Sequence, residues 1–302
     1  MMSQTQYIQL IALFLGFTLL EFLLGRAKGF KATASDNLLD LVGFALLAAV
    51  TQPAVFWLVQ VIGHAVAPGA QNAWAGLPWI AGFALFLVGD DMLQYGWHRA
   101  SHKPLLWPLH RAHHSAQYMS ARIIYRNNFF YYFGMPAIWV SGLLIYLGLG
   151  PIYMVYIVIK LAVITGAHSA VRWDEPLYRI KALKPLMWLV QRTISTPATH
   201  FAHHAMSNAD GIGHYTGNYG NLLFFWDVLF GTAHITQQYP AEIGLRDDQL
   251  FGKEAWWAEL FYPIFRSKRQ HTALTPGGKP YDHPTDRAPS QQPAASQVRI
   301  TG

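Results

Sequence analysis

Long apolar runs separated by short polar patches dominate this chain. Tyr7 to Leu24 is apolar except for Glu21 near its end, and Leu41 to Gly63 follows with Pro53 inside it. Trp79 to Trp97 is a third run, carrying Asp90 and Asp91 in its lower half. Phe133 to Gly148 and Pro151 to His168 form a fourth and fifth, so closely joined that they read as a helical hairpin. A helix needs about 20 apolar residues to cross the hydrocarbon core of a bilayer. The pattern therefore predicts an all-α integral membrane bundle of four or five transmembrane helices. The first run lacks a basic flank and a small-residue cleavage site, which fits an anchor rather than a signal peptide. Aromatic stretches at 129–133, 222–230 and 256–265 suit helices lying at the interface. From His271 onward Pro, Gln, Ser and Ala take over, as in a disordered tail. The expected organisation is transmembrane helices over 1–78, a catalytic domain over 79–235, an interfacial segment over 236–270 and the tail 271–302.

Charge sets the orientation. Only 13% of the residues are charged, about half the share of a soluble domain. With the N-terminus outside, twenty-one of the twenty-two Lys and Arg residues fall on the inner side, and Lys160 lies within the fifth run. Basic residues favour the cytosolic side. This places a helical cap in the cytosol and predicts a multi-pass protein, of a bacterial inner membrane in the first instance. The net charge of +6 is spread along that side, and no nucleic-acid partner is expected. The absence of cysteine excludes disulfides, thiolate zinc sites and iron–sulfur clusters.

The fourteen histidines change the picture, because most of them are clustered. Three boxes occur: His98 and His102 in H-x-x-x-H, then His110, His113 and His114, then His200, His203 and His204 in H-x-x-H-H. Residues three or four apart share a helix face, so each box presents its imidazoles together. Within H-x-x-H-H the adjacent pair diverges by about 100°, so one box can serve two metal ions. Eight imidazoles exceed one zinc site and suit two ions of iron, copper or zinc. His168 ends the fifth run on the same side and is a candidate ninth ligand; His214, in a Gly-containing loop, is a tenth. Asp91, Tyr95, His98 and His102 fall on one stripe, which makes Asp91 and Tyr95 candidates to support a ligand imidazole. Isolated histidines such as His64, His234, His271 and His283 are expected to be structural or solvated.

The surrounding text resembles a known family. Tyr95-Gly96-Trp97-His98-Arg99, Leu106-Trp107-Pro108-Leu109-His110, His113-His114-Ser115, Thr196-Pro197 and Asn218-Tyr219-Gly220 are similar to segments of the fatty acid hydroxylase/sterol desaturase superfamily, as are Trp226-Asp227 and Phe230-Gly231-Thr232. The short gap between the first two boxes, with Pro104 and Pro108 folding the second back beside the first, separates this pattern from acyl-CoA desaturases. The resemblance implies a di-iron centre on the eight box histidines, with O2 as co-substrate and a bilayer lipid that is hydroxylated or desaturated. Electrons then come from a separate donor such as a ferredoxin, a cytochrome b5-like protein or a reductase. Asn218, Tyr219 and Asp227 are expected to scaffold the site. The rival readings are a membrane zinc hydrolase, which would want a Glu beside paired histidines, and a non-enzymatic metal-binding or transport protein, which would place ligands along its spans.

Overall fold

The computed structural model describes residues 4–30, 32–269, 271–275 and 277, so the expected tail lies almost wholly outside the described residues. Helix α1 spans Gln4–Leu23, α2 Ala34–Leu46, α3 Gln52–Val66, α4 Trp79–Phe86, α5 Leu93–Ser101 and α6 Trp107–His114. Next come α7 Phe129–Phe133, α8 Pro136–Leu144 and α9 Gly150–His168. Six more follow: α10 Glu175–Arg179, α11 Lys184–Thr193, α12 Pro197–His203, α13 Phe225–Leu229, α14 Arg246–Phe251 and α15 Trp256–Phe261. Among the described residues the fold is all-helical.

Two stretches, Ala34–Val66 and Pro136–His168, are each 33 residues long and apolar enough to cross a membrane. Wide π-helical turns at Leu47–Thr51, Leu87–Met92 and Ile145–Leu149 interrupt the long rods without ending them at the first two places. At the third the chain reverses: Gly148 has φ 106°, a conformation that a side chain would strain. Its neighbours there are Asn72 and Ala75, and Tyr146 donates to the Ala67 carbonyl. Pro136 at one end and His168 at the other both lie near the histidine boxes, since Gly134 packs on Trp97 and the His168 ring is 5.2 Å from that of His113. The hairpin expected at this point is therefore present.

Apolar side chains on the outside of these helices, such as Phe22, Val66 and Ile80, are largely exposed. Lipid is as apolar as they are, so helices here associate through close packing rather than through expulsion of water. Gly82 shows this directly: a Cβ there would stand 2.3 Å from Ile152 Cδ1, so α4 and α9 meet where no side chain fits. Phe86, Leu149, Tyr153 and Tyr156 complete that core.

Glu21, the charge that interrupts the first apolar run, is buried. It accepts from the hydroxyls of Ser120 (2.6 Å) and Ser169 (2.8 Å) and from the backbone N–H groups of Ala121 and Ala170 (both 2.9 Å). It thus pins α1 to the two segments that follow box two and α9. A buried carboxylate is tolerable only when satisfied in this way.

Candidate metal centre

Each box sits on a short helix with a readable start or stop. Helix α5 ends at Ser101, with His102 as its C-cap and Pro104 just beyond, a residue whose ring cannot continue a helix. Helix α6 opens with Pro108 in its first turn. Helix α12 is started by Thr196-Pro197, where the Thr196 side chain accepts from the Thr199 N–H and that of Thr199 from the Thr196 N–H. The fold-back between the first two boxes brings the His98 ring within 4.7 Å of His110 and His102 within 4.8 Å of His114.

Nine imidazoles gather in two groups. His98, His102, His110, His114 and His203 form one; His113, His168, His200 and His204 form the other, and within each the ligand atoms lie within 4.8 Å of one another. The adjacent pairs separate: His113 and His114 go to different groups at an interplanar angle of 86°, and so do His203 and His204 at 88°. Box one contributes both of its histidines to the larger group. His168 joins the smaller one, at 2.8 Å from His200 between Nε2 atoms.

Hydrogen bonds fix which ring nitrogen faces inward. Nδ1–H of His98 donates to the Tyr219 carbonyl (2.7 Å), that of His203 to Gly217 (2.7 Å), that of His110 to Asn127 Oδ1 (2.8 Å), that of His113 to Ile123 (3.1 Å) and that of His168 to Ile164 (2.8 Å). A neutral imidazole has one N–H, so these rings present Nε2 lone pairs inward. Yet Nε2 of His98 lies 3.0 Å from that of His203, and Nε2 of His113 lies 3.3 Å from that of His168. Two lone pairs at such distances repel unless a cation lies between them. Protonation is no remedy, because burial first and neighbouring imidazoles second hold His113 well below the usual histidine range. Burial and His98 do the same to His203. His102 Nε2 is also buried without a hydrogen-bond partner. Each group thus carries the donor set of a metal ion, and the imidazole chemistry suits iron, copper or zinc.

The family comparison bears on this site. Residues 83–232 match the model of the fatty acid hydroxylase family. Those residues are a fatty acid hydroxylase domain. All nine grouped histidines fall within it. Two curated relatives, both named alkylglycerol monooxygenase, come from Danio rerio and Xenopus tropicalis. Each is 28% identical over 162 residues, which cover 52% of this chain and 32% of the relative. The chain thus spans about a third of the length of these relatives. No solved structure matches it.

Within the hydroxylase domain, other expected residues fall elsewhere. His214 lies outside both groups: its ring packs against that of His234, with centroids 5.0 Å apart, and its backbone N–H donates to the Ala202 carbonyl. Asp91 accepts from the N–H groups of Leu222 and Leu223 and from Trp226 Nε1 (2.8 Å), and so holds the closing segment rather than an imidazole. Tyr95 bonds Thr232 (2.9 Å) on that same side. Asp91 and Tyr95 thus face residues 219–232, the segment whose Tyr219 carbonyl also holds His98, while Asp90 and Gln94 line the cavity. Asn218, with φ 55°, donates to the carbonyls of Thr199 and His234. Asp227 accepts from the N–H groups of Tyr219 and Gly220. These two shape the loop whose carbonyls hold His98 and His203.

Sequence reasoning missed Asn127, Arg111 and Arg126. Arg111 is fully buried between boxed histidines and pairs with Asp247 (2.9 Å), Asp248 and Glu259 from α14 and α15. Arg126 pairs with Asp36 (2.6 Å) on α2 and donates to the Ala112 carbonyl on α6. The polar triplet Arg126-Asn127-Asn128 directly before the aromatic run 129–133 was the available signal, since all three are buried.

Beside the histidines opens a cavity of about 1470 Å³. His98, His110, His113 and His168 line one end, and Gln71 and Asn72 the other. Its wall includes Leu15, Leu41 and Trp57, themselves 56%, 64% and 63% exposed, so it reaches the apolar outer surface.

Proposed function

We propose that this protein is a membrane-bound di-iron oxygenase that hydroxylates a lipid, using O2 and electrons from a separate donor. One observation carries the reading: nine imidazoles in two groups lie at the end of an apolar cavity that opens on a lipid-facing surface. The names of the curated relatives, monooxygenases both, favour insertion of oxygen over desaturation. Among the described residues both groups consist of histidine alone, and Asp247, which shares a small pocket with His102 and His114, is paired with Arg111 and Arg269 rather than free to act as the general base of a zinc hydrolase.

His98, His102, His110, His114 and His203 would hold one ion, and His113, His168, His200 and His204 the other. The pair of irons supplies the oxidising power, drawn from O2, that no side chain has for an unactivated C–H bond. The chain's own residues do the rest. Tyr219, Gly217, Ile123, Ile164 and Asn127 fix ring tautomers and orientations. The apolar wall binds a hydrocarbon chain and excludes water from the reacting carbon. The buried cap residues around Arg111 and Arg126 keep solvent from the histidines on the other side. On the orientation that the Lys and Arg placement favours, that cap would face the cytosol, where the electron donor would dock, and four or five spans would cross the bilayer.

The test is isotopic. Purified protein in lipid nanodiscs, supplied with a reductase–ferredoxin couple and ¹⁸O2, should place one ¹⁸O atom in a lipid product, and His113→Ala should abolish it. Oxygen arriving from water instead, or no oxygen uptake with any lipid extract, would refute the reading.

A further inference from the structure

Two helical turns away from the histidines, the cavity wall becomes polar. Asp90 and Lys160 form an ion pair at 2.6 Å, both are buried, and both line the cavity. Asp90 stands eight residues before His98, and Lys160 eight before His168, so each lies about 12 Å along its helix from a histidine of the centre. Gln94, one turn below Asp90 on the same wall, has a buried Oε1 without a hydrogen-bond partner. Ser141 Oγ, also on the wall, is unpartnered too.

Charges inside a membrane are costly and are kept for use. Joining the Asp90-bearing turn to α9 explains why a pair exists, but not why it faces open space, when Phe86 and Tyr156 beside it are packed into core. Among the described residues lining the cavity, Lys160 is the one cation and Asp90 the one carboxylate, and Asp91 is buried on the same turn, so this polar stretch holds no unpaired cation. A lipid carboxylate or phosphate placed there would bring a negative charge with nothing left to balance it in a low dielectric. An uncharged hydroxyl or amide meets no such cost. The ammonium has three donors, of which Asp90 takes one, and Gln94 offers a free acceptor.

We propose that Asp90, Lys160 and Gln94 form a polar subsite for the uncharged hydrogen-bonding end of an amphiphilic lipid, a hydroxyl or an amide, and that it rejects anionic headgroups. This deepens the oxygenase reading and rests on it only for what happens to the lipid after binding.

Binding of radiolabelled hexadecan-1-ol and hexadecanoate, matched in chain length, to the full-length protein in phosphatidylcholine nanodiscs at pH 8 provides the test. The alcohol should bind about tenfold or more tighter than the carboxylate, the worth of one buried charge-assisted hydrogen bond. Asp90→Asn removes the carboxylate that pairs with Lys160 and should shift the preference toward the carboxylate, which a merely structural role would not do. Lys160→Met should weaken the alcohol about tenfold, and Gln94→Ala should weaken it a few-fold without touching the carboxylate. Equal or tighter binding of hexadecanoate by the unaltered protein overturns the proposal. So does an unchanged preference in Asp90→Asn that keeps its metal content, or an unchanged alcohol affinity in Gln94→Ala. Metal content and O2 uptake on the same samples test the oxygenase reading separately, because lipid preference requires neither.

Discussion

At the residue scale, the carboxamide of Asn127 shows how much of the centre depends on groups that never touch a metal. It accepts from His110 Nδ1 and donates to the Tyr132 hydroxyl, which in turn donates to the Ile124 carbonyl. Asn127→Ala should lower metal affinity by about 10- to 100-fold, the usual cost of losing such a partner. Competition with a graded series of chelators measures it, and Asn127→Asp, which restores the acceptor, should recover most of the loss. His214→Ala should leave metal content unchanged, because that ring packs on His234 outside both groups. The boxes were legible because spacing on a helix is a property of sequence alone. The partners of Asp91 were not, since a stripe says which residues share a face but not which distant segment, here Leu222 to Trp226, packs on it. Asn127 was hidden for another reason: its histidine is seventeen positions away along the chain, and no periodicity links the two.

At the element scale, the cap holds the box helices by buried arginines. Arg111 on α6 reaches α14 and α15 through three carboxylates, and Arg126 joins α2 to the same helix. Arg111→Met leaves Glu259 buried without its cation and Asp247 and Asp248 held by Arg269 alone, which should cost about 3–5 kcal/mol. A chemical-denaturation series on the detergent-solubilised protein reads this as a fall in midpoint without a change in helix content at zero denaturant. Thr196→Ala, which removes the cap that starts α12, should cost about 1 kcal/mol. Starts and stops such as Thr196-Pro197, Pro104 and Pro108 could be read from sequence, because prolines and caps act locally. The docking of α14 and α15 on α6 could not: the aromatic stretch 256–265 looks interfacial, and distant partners, Arg111 for the Glu259 carboxylate and Asn128 for the Glu259 and Tyr262 carbonyls, bring its helix inward, leaving Ile264 and Phe265 exposed.

At the scale of the whole molecule, the histidine centre ties stability to pH. His110, His113, His114, His200, His203 and His204 all have proton affinities depressed well below the ordinary value of 6.5, by burial first and by neighbouring imidazoles after it. On acidification the unfolded chain therefore takes up protons before the folded one does. Their contribution to stability is whole above about pH 6.5 and drains away as pH falls below it. Melting temperature followed across that range should be flat on the alkaline side and should drop steeply, with several protons involved, on the acid side. The apolar pattern made the helical bundle legible at this scale. The cavity was not legible, since its walls are drawn from helices far apart in the chain, Leu15 to His168. What most directly tests the account is the metal content of the purified, unaltered chain, measured by mass spectrometry of the elements together with Mössbauer spectra. Two irons per chain, one for each histidine group, magnetically coupled and lost together on chelation, is the predicted result. A single tightly held zinc, or a protein that folds and melts identically with no metal at all, would contradict it.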